Sequence, residues 1–250
     1  MKFLKKYKKI LIICICISLL FVFYFRQHSG LCVIGYHAVV TNEEKENEYK
    51  DNPYYMSVTQ FDKQMKYLYD HNYVSYTMKD VEDYINGKAL EKHAICITFD
   101  DGYKNFNTVV KPILEKYHLK ATCFVIGDKL SKSHKKSLNY KDLINDDTVE
   151  YYSHSYALHY KENNTYKLQT VSLEEIDEDF KKNPVDNTYF AYPYGKDRND
   201  IDEVLKNNNV HLAFTYNNFR NIKRSDNIYH LPRYMIVSPM PLFYFKYVVK

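Results

Sequence analysis

The run Ile97-Thr98-Phe99-Asp100-Asp101-Gly102-Tyr103 constrains this chain more than any other feature. A β-prone apolar stretch, residues 94–99, stops at two adjacent carboxylates, and a glycine then lets the chain turn. Aspartates side by side repel, so a fold that keeps them together gives them a cation or different protonation states. Some fifty residues on comes His154-Ser155-Tyr156-Ala157-Leu158-His159. On a helix, positions five apart lie about 140° out of phase, so these histidines fit a strand end and the loop after it. One carboxylate and two imidazoles supply three ligands for a divalent metal and leave a position open for water. The other carboxylate is then free to take a proton from that water.

The rest of the pattern alternates. Residues 31–36, 94–99, 121–126, 189–192, 212–215 and 231–237 read as strands. Residues 58–72, a segment opening at Thr77 and stopping at Gly87, residues 109–117 and residues 202–207 read as helices, from apolar spacing and end signals. Residues 42–51 read as an acidic loop, and 129–148 as Lys-rich helix and loop. Strands alternating with helices argue for a parallel sheet, and their number for a distorted α/β barrel. Chemistry in such barrels sits at the C-terminal ends of strands. His37, Asp100, Asp101, the histidine pair and Tyr194 all fall at or just after such ends.

The first thirty residues differ in kind. Lys2, Lys5, Lys6, Lys8 and Lys9 precede an apolar stretch, residues 10–25, which directs the remainder of the chain outward by the positive-inside rule. The stretch is short for a spanning helix and long for a signal peptide. Residues 26–30 offer no small-x-small cleavage site, and the isoleucines before Cys14 and Cys16 rule out a lipoprotein box. We therefore expect an uncleaved membrane anchor in residues 1–30, with a cleaved signal as the alternative, and one catalytic domain in residues 31–250. The domain would stand on the extracellular face of the cytoplasmic membrane, or be secreted if cleavage occurs. The net charge of +4 falls largely on those lysines and leaves no nucleic-acid footprint. Cys32, Cys96 and Cys123 sit in apolar runs and read as small core residues. Tyr is abundant, at 27, with no Trp. Such tyrosines often line carbohydrate grooves, although a Tyr-rich composition alone is the plainer explanation.

The string TFDDGY, the downstream histidine pair and the turn Pro193-Tyr194-Gly195 resemble the polysaccharide deacetylase family, carbohydrate esterase family four, over about residues 31–240. The histidine spacing, Tyr36-His37 and Phe190-Ala191-Tyr192-Pro193-Tyr194-Gly195 resemble its poly-β-1,6-N-acetyl-D-glucosamine N-deacetylase branch. The resemblance implies a circularly permuted barrel. It implies Asp101, His154 and His159 as metal ligands, Asp100 as catalytic base and the Tyr194 N–H as oxyanion donor. The family's late Leu-x-His motif is missing, and in the branch the early histidine, His37, takes its place as general acid. Ala191 stands where the wider family has an arginine that orients the base. Arg233 is a candidate replacement, or a plain structural salt bridge. His71, His93, His118, His211 and His230 read as surface or loop residues, and Asp128 as a helix cap.

The activity so implied is metal-dependent removal of N-acetyl groups from a surface exopolysaccharide, with release of acetate. Peptidoglycan or chitin-type chains are the alternative substrates, and an inactive glycan-binding protein the alternative of another class. The donor set suits Zn²⁺, and Co²⁺, Ni²⁺ or Fe²⁺ fit similar ligands. The implied partners are the polysaccharide and the membrane, and the chain is expected to be a monomer.

Overall fold

The computed structural model describes residues 29–131, 136–217 and 220–250. The expected anchor, in residues 1–30, lies almost wholly outside them. Among the described residues no helix is long and apolar enough to cross a membrane.

The strands are β1 (Cys32–Tyr36), β2 (Ala38–Val40), β3 (Tyr55–Ser57), β4 (Val74–Tyr76), β5 (Ala94–Phe99), β6 (Ala121–Val125), β7 (Val149–Ser153), β8 (Lys161–Glu162), β9 (Thr165–Tyr166), β10 (Tyr189–Ala191), β11 (Leu212–Phe214) and β12 (Tyr234–Met235). Eight form one parallel sheet in the order β11-β10-β7-β6-β5-β1-β12, with β4 joined to β5. β4 pairs with the first half of β5 and β6 with its last residues, so the two share one edge. The sheet curls round on itself. Ala213 N–H donates to Ile228, and Leu231 and Thr215 N–H pair β11 with the segment that becomes β12. That segment then pairs with β1 through Ile34–Tyr234 and Gly35–Met235. Among the described residues the first strand thus lies beside the last, as closing a barrel of strands taken in chain order requires.

The helices are α1 (Asn42–Asn47), α2 (Val58–Asp70), α3 (Met78–Ile85), α4 (Lys111–Lys116), α5 (Gly127–Ser131), α6 (Leu173–Lys182), α7 (Asp202–Asn207) and α8 (Leu242–Val248). A strand's side chains alternate between faces, and β5 shows the result. Ile95, Ile97 and Phe99 face outward, into a cluster with Phe61, Met65 and Leu68 of α2, Leu114 of α4 and Phe245 of α8. Cys96 faces inward with Val33, Phe124, Leu212, Phe214 and Leu231. A third cluster holds α6 and α7 against Phe190 and Ala213. Cys32, Cys96 and Cys123 are buried and free, as expected.

Several expectations need correction. Residues 42–51 are not all loop: Thr41 and Glu44 form a reciprocal cap that starts α1. The helix expected at 109–117 opens with a π turn, Phe106–Val110, before α4. Asp128 lies in the first turn of α5 rather than before it. Helices α6 and α8, strands β2, β3 and β4 and the hairpin β8–β9 are additions to the expected pattern. The strands are two or three residues long, too short for periodicity to report, whereas α6 carries a capping box at Ser172 and Glu175 and an apolar face with Ile176 and Phe180.

Candidate active site

Alternation along β5 sends Asp100 inward, in phase with Cys96 and Thr98. The register of Tyr36 opposite Phe99 sets His37 beside Asp100, and the Asp100 N–H donates to Tyr36. Asp101 has φ +76°, in the left-handed region. A residue with a Cβ is disfavoured there by roughly 1–2 kcal/mol. The turn separates the two carboxylates: one stays in the barrel mouth and the other swings toward the histidines.

His154 follows β7 directly, where its N–H donates to Val125. Its Nδ1 donates to the Ala191 carbonyl at 2.7 Å, which leaves Nε2 as the bare nitrogen. That Nε2 stands 3.7 Å from Asp101 Oδ1, and His159 Nε2 stands 3.3 Å from the same oxygen. Burial pushes the His154 imidazole down to about 4 and lowers that of His159 as well. Both are therefore neutral at pH 7, and their closeness to Asp101 is not an ion pair. Three donors face one another, and Asp101 Oδ1 is buried with no hydrogen-bond partner. Ligands about 2.1 Å from a tetrahedral ion stand about 3.4 Å apart, close to the spacings seen. Among the described residues this is the one group of side chains with metal-ligand spacing, and it fits a divalent ion.

Asp100 has different company. Arg233 grips it with both Nη atoms, at 2.7 Å to Oδ1 and 2.9 Å to Oδ2, and also donates to Thr98 Oγ1. Both residues are fully buried, with Arg233 at 0% exposure. Burial raises the Asp100 pKa, but the Arg233 guanidinium, by its charge and its hydrogen bonds, overrides it and holds the carboxyl well below the usual range. The salt bridge is thus present, and its partner is the aspartate adjacent to Asp101.

Tyr216 completes this shell and carries no mark in the sequence pattern. Its hydroxyl donates to Asp100 Oδ2 at 2.8 Å, and its ring lies 4.3 Å from the Arg233 guanidinium. Two glycines make room for it. A Cβ on Gly35 would meet Tyr216 Oη at 2.4 Å, and one on Gly195 would meet Cδ2 at 2.3 Å. Asp179 of α6 is likewise absent from the sequence expectations. Its carboxylate accepts the N–H groups of Tyr156 and Ala157, both at 2.7 Å, and so pins the loop between the histidines. Neither residue has a sequence signal, because each acts through a contact between distant segments.

Tyr194 takes φ +58° in the turn after β10, and its ring stacks on His159 at 4.2 Å between centres. His37 sits 4.8 Å from the Tyr54 ring, and its buried Nδ1 has no hydrogen-bond partner. Tyr194 and His37 line a cleft of about 350 Å³ with Asp100, Asp101, His154, His159, Lys161 and five further tyrosines. Arg233 stands behind it. Tyrosines thus do line this cleft, although composition alone favours the plainer explanation. His230 stands in a loop, as expected, with its two ring nitrogens 2.7 Å from Asp197 Oδ2 and 3.0 Å from Asp202 Oδ1.

An inward carboxylate pair, two neutral imidazoles and a tyrosine groove at the mouth of a parallel barrel are the parts of a glycan hydrolase of amide or ester bonds. A family model for polysaccharide deacetylase matches residues 87–213. The chain belongs to the polysaccharide deacetylase family, whose members are hydrolases of amide bonds. The poly-β-1,6-N-acetyl-D-glucosamine N-deacetylase of Staphylococcus epidermidis is 26% identical over 198 residues, which is 73% of this chain and 68% of that protein. The enzyme of the same name from Staphylococcus aureus strain MSSA476 is 27% identical over the same shares. Among solved structures, Streptococcus pyogenes deacetylase PplD in complex with acetate matches with a TM-score of 0.72 at 21% identity, over 88% of this chain and 98% of that one. IcaB from Ammonifex degensii also gives 0.72, at 23% identity, over 89% and 97%. At these identities the likeness is one of fold.

Proposed function

We propose that this protein removes N-acetyl groups from poly-β-1,6-N-acetyl-D-glucosamine, with one divalent metal held by Asp101, His154 and His159. The observation that carries the reading is the division between two adjacent aspartates. Asp101 faces two neutral imidazoles, while Asp100 is locked by Arg233. The names of the curated relatives support the choice of polymer.

A divalent ion, Zn²⁺ by the donor set, would lower the pKa of a water molecule and polarise the acetamide carbonyl. Asp100, ionised and fixed, takes the proton of the attacking water. The Tyr194 N–H donates to the oxyanion that develops on the carbonyl, an interaction worth about 2.7–4 kcal/mol in comparable sites. His37 gives its proton to the leaving nitrogen as the C–N bond breaks. The products are acetate and a free amine on the sugar.

Acetate release from the β-1,6 polymer, measured beside release from peptidoglycan and β-1,4 chitin-type chains, tests the substrate. Faster release from a β-1,4 chain overturns it. Asp100→Asn should keep the metal and lose about 10²–10⁴-fold in rate, whereas Asp101→Asn should lose both. Equal metal loss in the two variants would refute the division of roles.

The same reading sets the domain outside the cytoplasmic membrane, tethered by its basic and apolar N-terminus. Cell fractionation with N-terminal sequencing tests it. A soluble extracellular form starting near residue 30 would mean a cleaved signal instead.

A further inference from the structure

One cation in the cleft has no part in this reaction. The hairpin β8–β9 brings Lys161 Nζ to 4.8 Å from the Tyr166 ring centre and 5.9 Å from that of Tyr194. Tyr194 in turn stacks on His159. The ammonium therefore stands one aromatic ring away from a metal-ligand candidate, within reach of a sugar next to the one being hydrolysed. Its place is set by the ladder of Lys161 with Tyr166 and Glu162 with Thr165, closed by Asn163 and Asn164 at positive φ. Nearby, Glu162 and Lys167 neutralise each other at 2.7 Å. Asp100 is committed to Arg233, and Asp101 would be taken up by the metal of the proposed function. Among the described residues Lys161 makes no ion pair, so its charge faces the cleft.

Deacetylation turns a neutral sugar into a cation. We propose that Lys161 makes the cleft discriminate against glucosamine beside the sugar being hydrolysed, so that the enzyme acts within N-acetylated runs and spaces its products along the chain. The inference rests on reading the cleft as a site for an N-acetylglucosamine polymer. Repulsion between two such charges near a protein surface amounts to about threefold to tenfold in affinity, and salt screens it.

The test is calorimetric binding of two β-1,6 pentasaccharides to the zinc-loaded protein, in an Asp100→Asn background that stops turnover. One pentasaccharide is fully N-acetylated and the other has glucosamine at alternate positions. The first should bind about threefold to tenfold more tightly at pH 6.5 and low salt. Lys161→Gln should reduce that preference, Lys161→Glu reduce it further or reverse it, and Lys161→Arg retain it. The Lys161-dependent part should fade in 0.5 M salt and at a pH where the amine is neutral. An unchanged preference in Lys161→Gln overturns the proposal, as does failure to bind either oligomer. Acetate release by the wild-type enzyme, run in parallel, reads the functional proposal separately. A Lys161-dependent preference without acetate release would refute the activity and sustain the discrimination.

Discussion

Asp100 and Asp101 are neighbours in sequence with different chemistry, and Tyr216 is one source of the difference. Asp100 Oδ2 accepts from both Tyr216 and Arg233, whereas Oδ1 accepts from Arg233 alone among these two. The less occupied oxygen keeps a lone pair for a proton. Tyr216→Phe should retain one metal per chain and lower kcat by about tenfold, since a hydrogen bond to a charged group is worth about 1.5–3 kcal/mol. Steady-state kinetics with metal analysis checks this, and normal kcat would remove Tyr216 from the shell. Arg233 is held more stringently. Arg233→Met leaves a buried carboxylate unpaired and should cost about 3–5 kcal/mol of stability, read by denaturant unfolding. A variant as stable as the parent would mean that Asp100 takes up its proton or finds other donors.

Three loops build the site, and each carries a non-glycine residue in the left-handed region: Asp101, Ser155 and Tyr194. Such conformations persist where the surroundings over-determine them, and for the histidine loop the anchor is Asp179. Asp179→Ala leaves two N–H groups without their acceptor, at about 1–3 kcal/mol for each one left buried. It should also weaken metal affinity while leaving all three ligands in place, which metal titration would show. Unchanged affinity would make Asp179 a stabilising residue only. Most strands of the main sheet and the candidate ligand set are legible in the sequence because both write themselves in short patterns, such as apolar runs, paired aspartates and spaced histidines. Tyr216 and Asp179 are not, because nothing adjacent in sequence marks a contact across 116 or 22 residues. The cap at Thr41 and Glu44 is legible as a pattern, but the acidic composition around it points to loop.

On the scale of the whole domain, protons and metal compete. The fold holds His154 neutral, with its pKa near 4 against an ordinary value of 6.5. Between those values the unfolded chain binds a proton that the fold does not. Stability of the metal-free domain should therefore fall as pH drops from about 6.5 to about 4. Asp100, held low, adds a further loss only as pH falls below the ordinary carboxylate range. Zinc at about 100 times its Kd adds about 2.7 kcal/mol, or roughly 5–10 °C in Tm for a domain of this size. That gain should shrink over the same acid range, because the ligands must be deprotonated. Thermal melts with and without zinc, across pH 4–8, check both. A gain that persists in His154→Ala would put the metal elsewhere.

The closing of the barrel also has a consequence in time. β1 is made early, yet its neighbour β12 and the arginine that grips Asp100 belong to the final part of the chain. A nascent or prematurely terminated polypeptide can carry all three metal-ligand candidates and still lack Arg233, the guanidinium that keeps Asp100 ionised. On the proposed function, competence then waits for β12, and synthesis itself delays the enzyme until that strand has emerged.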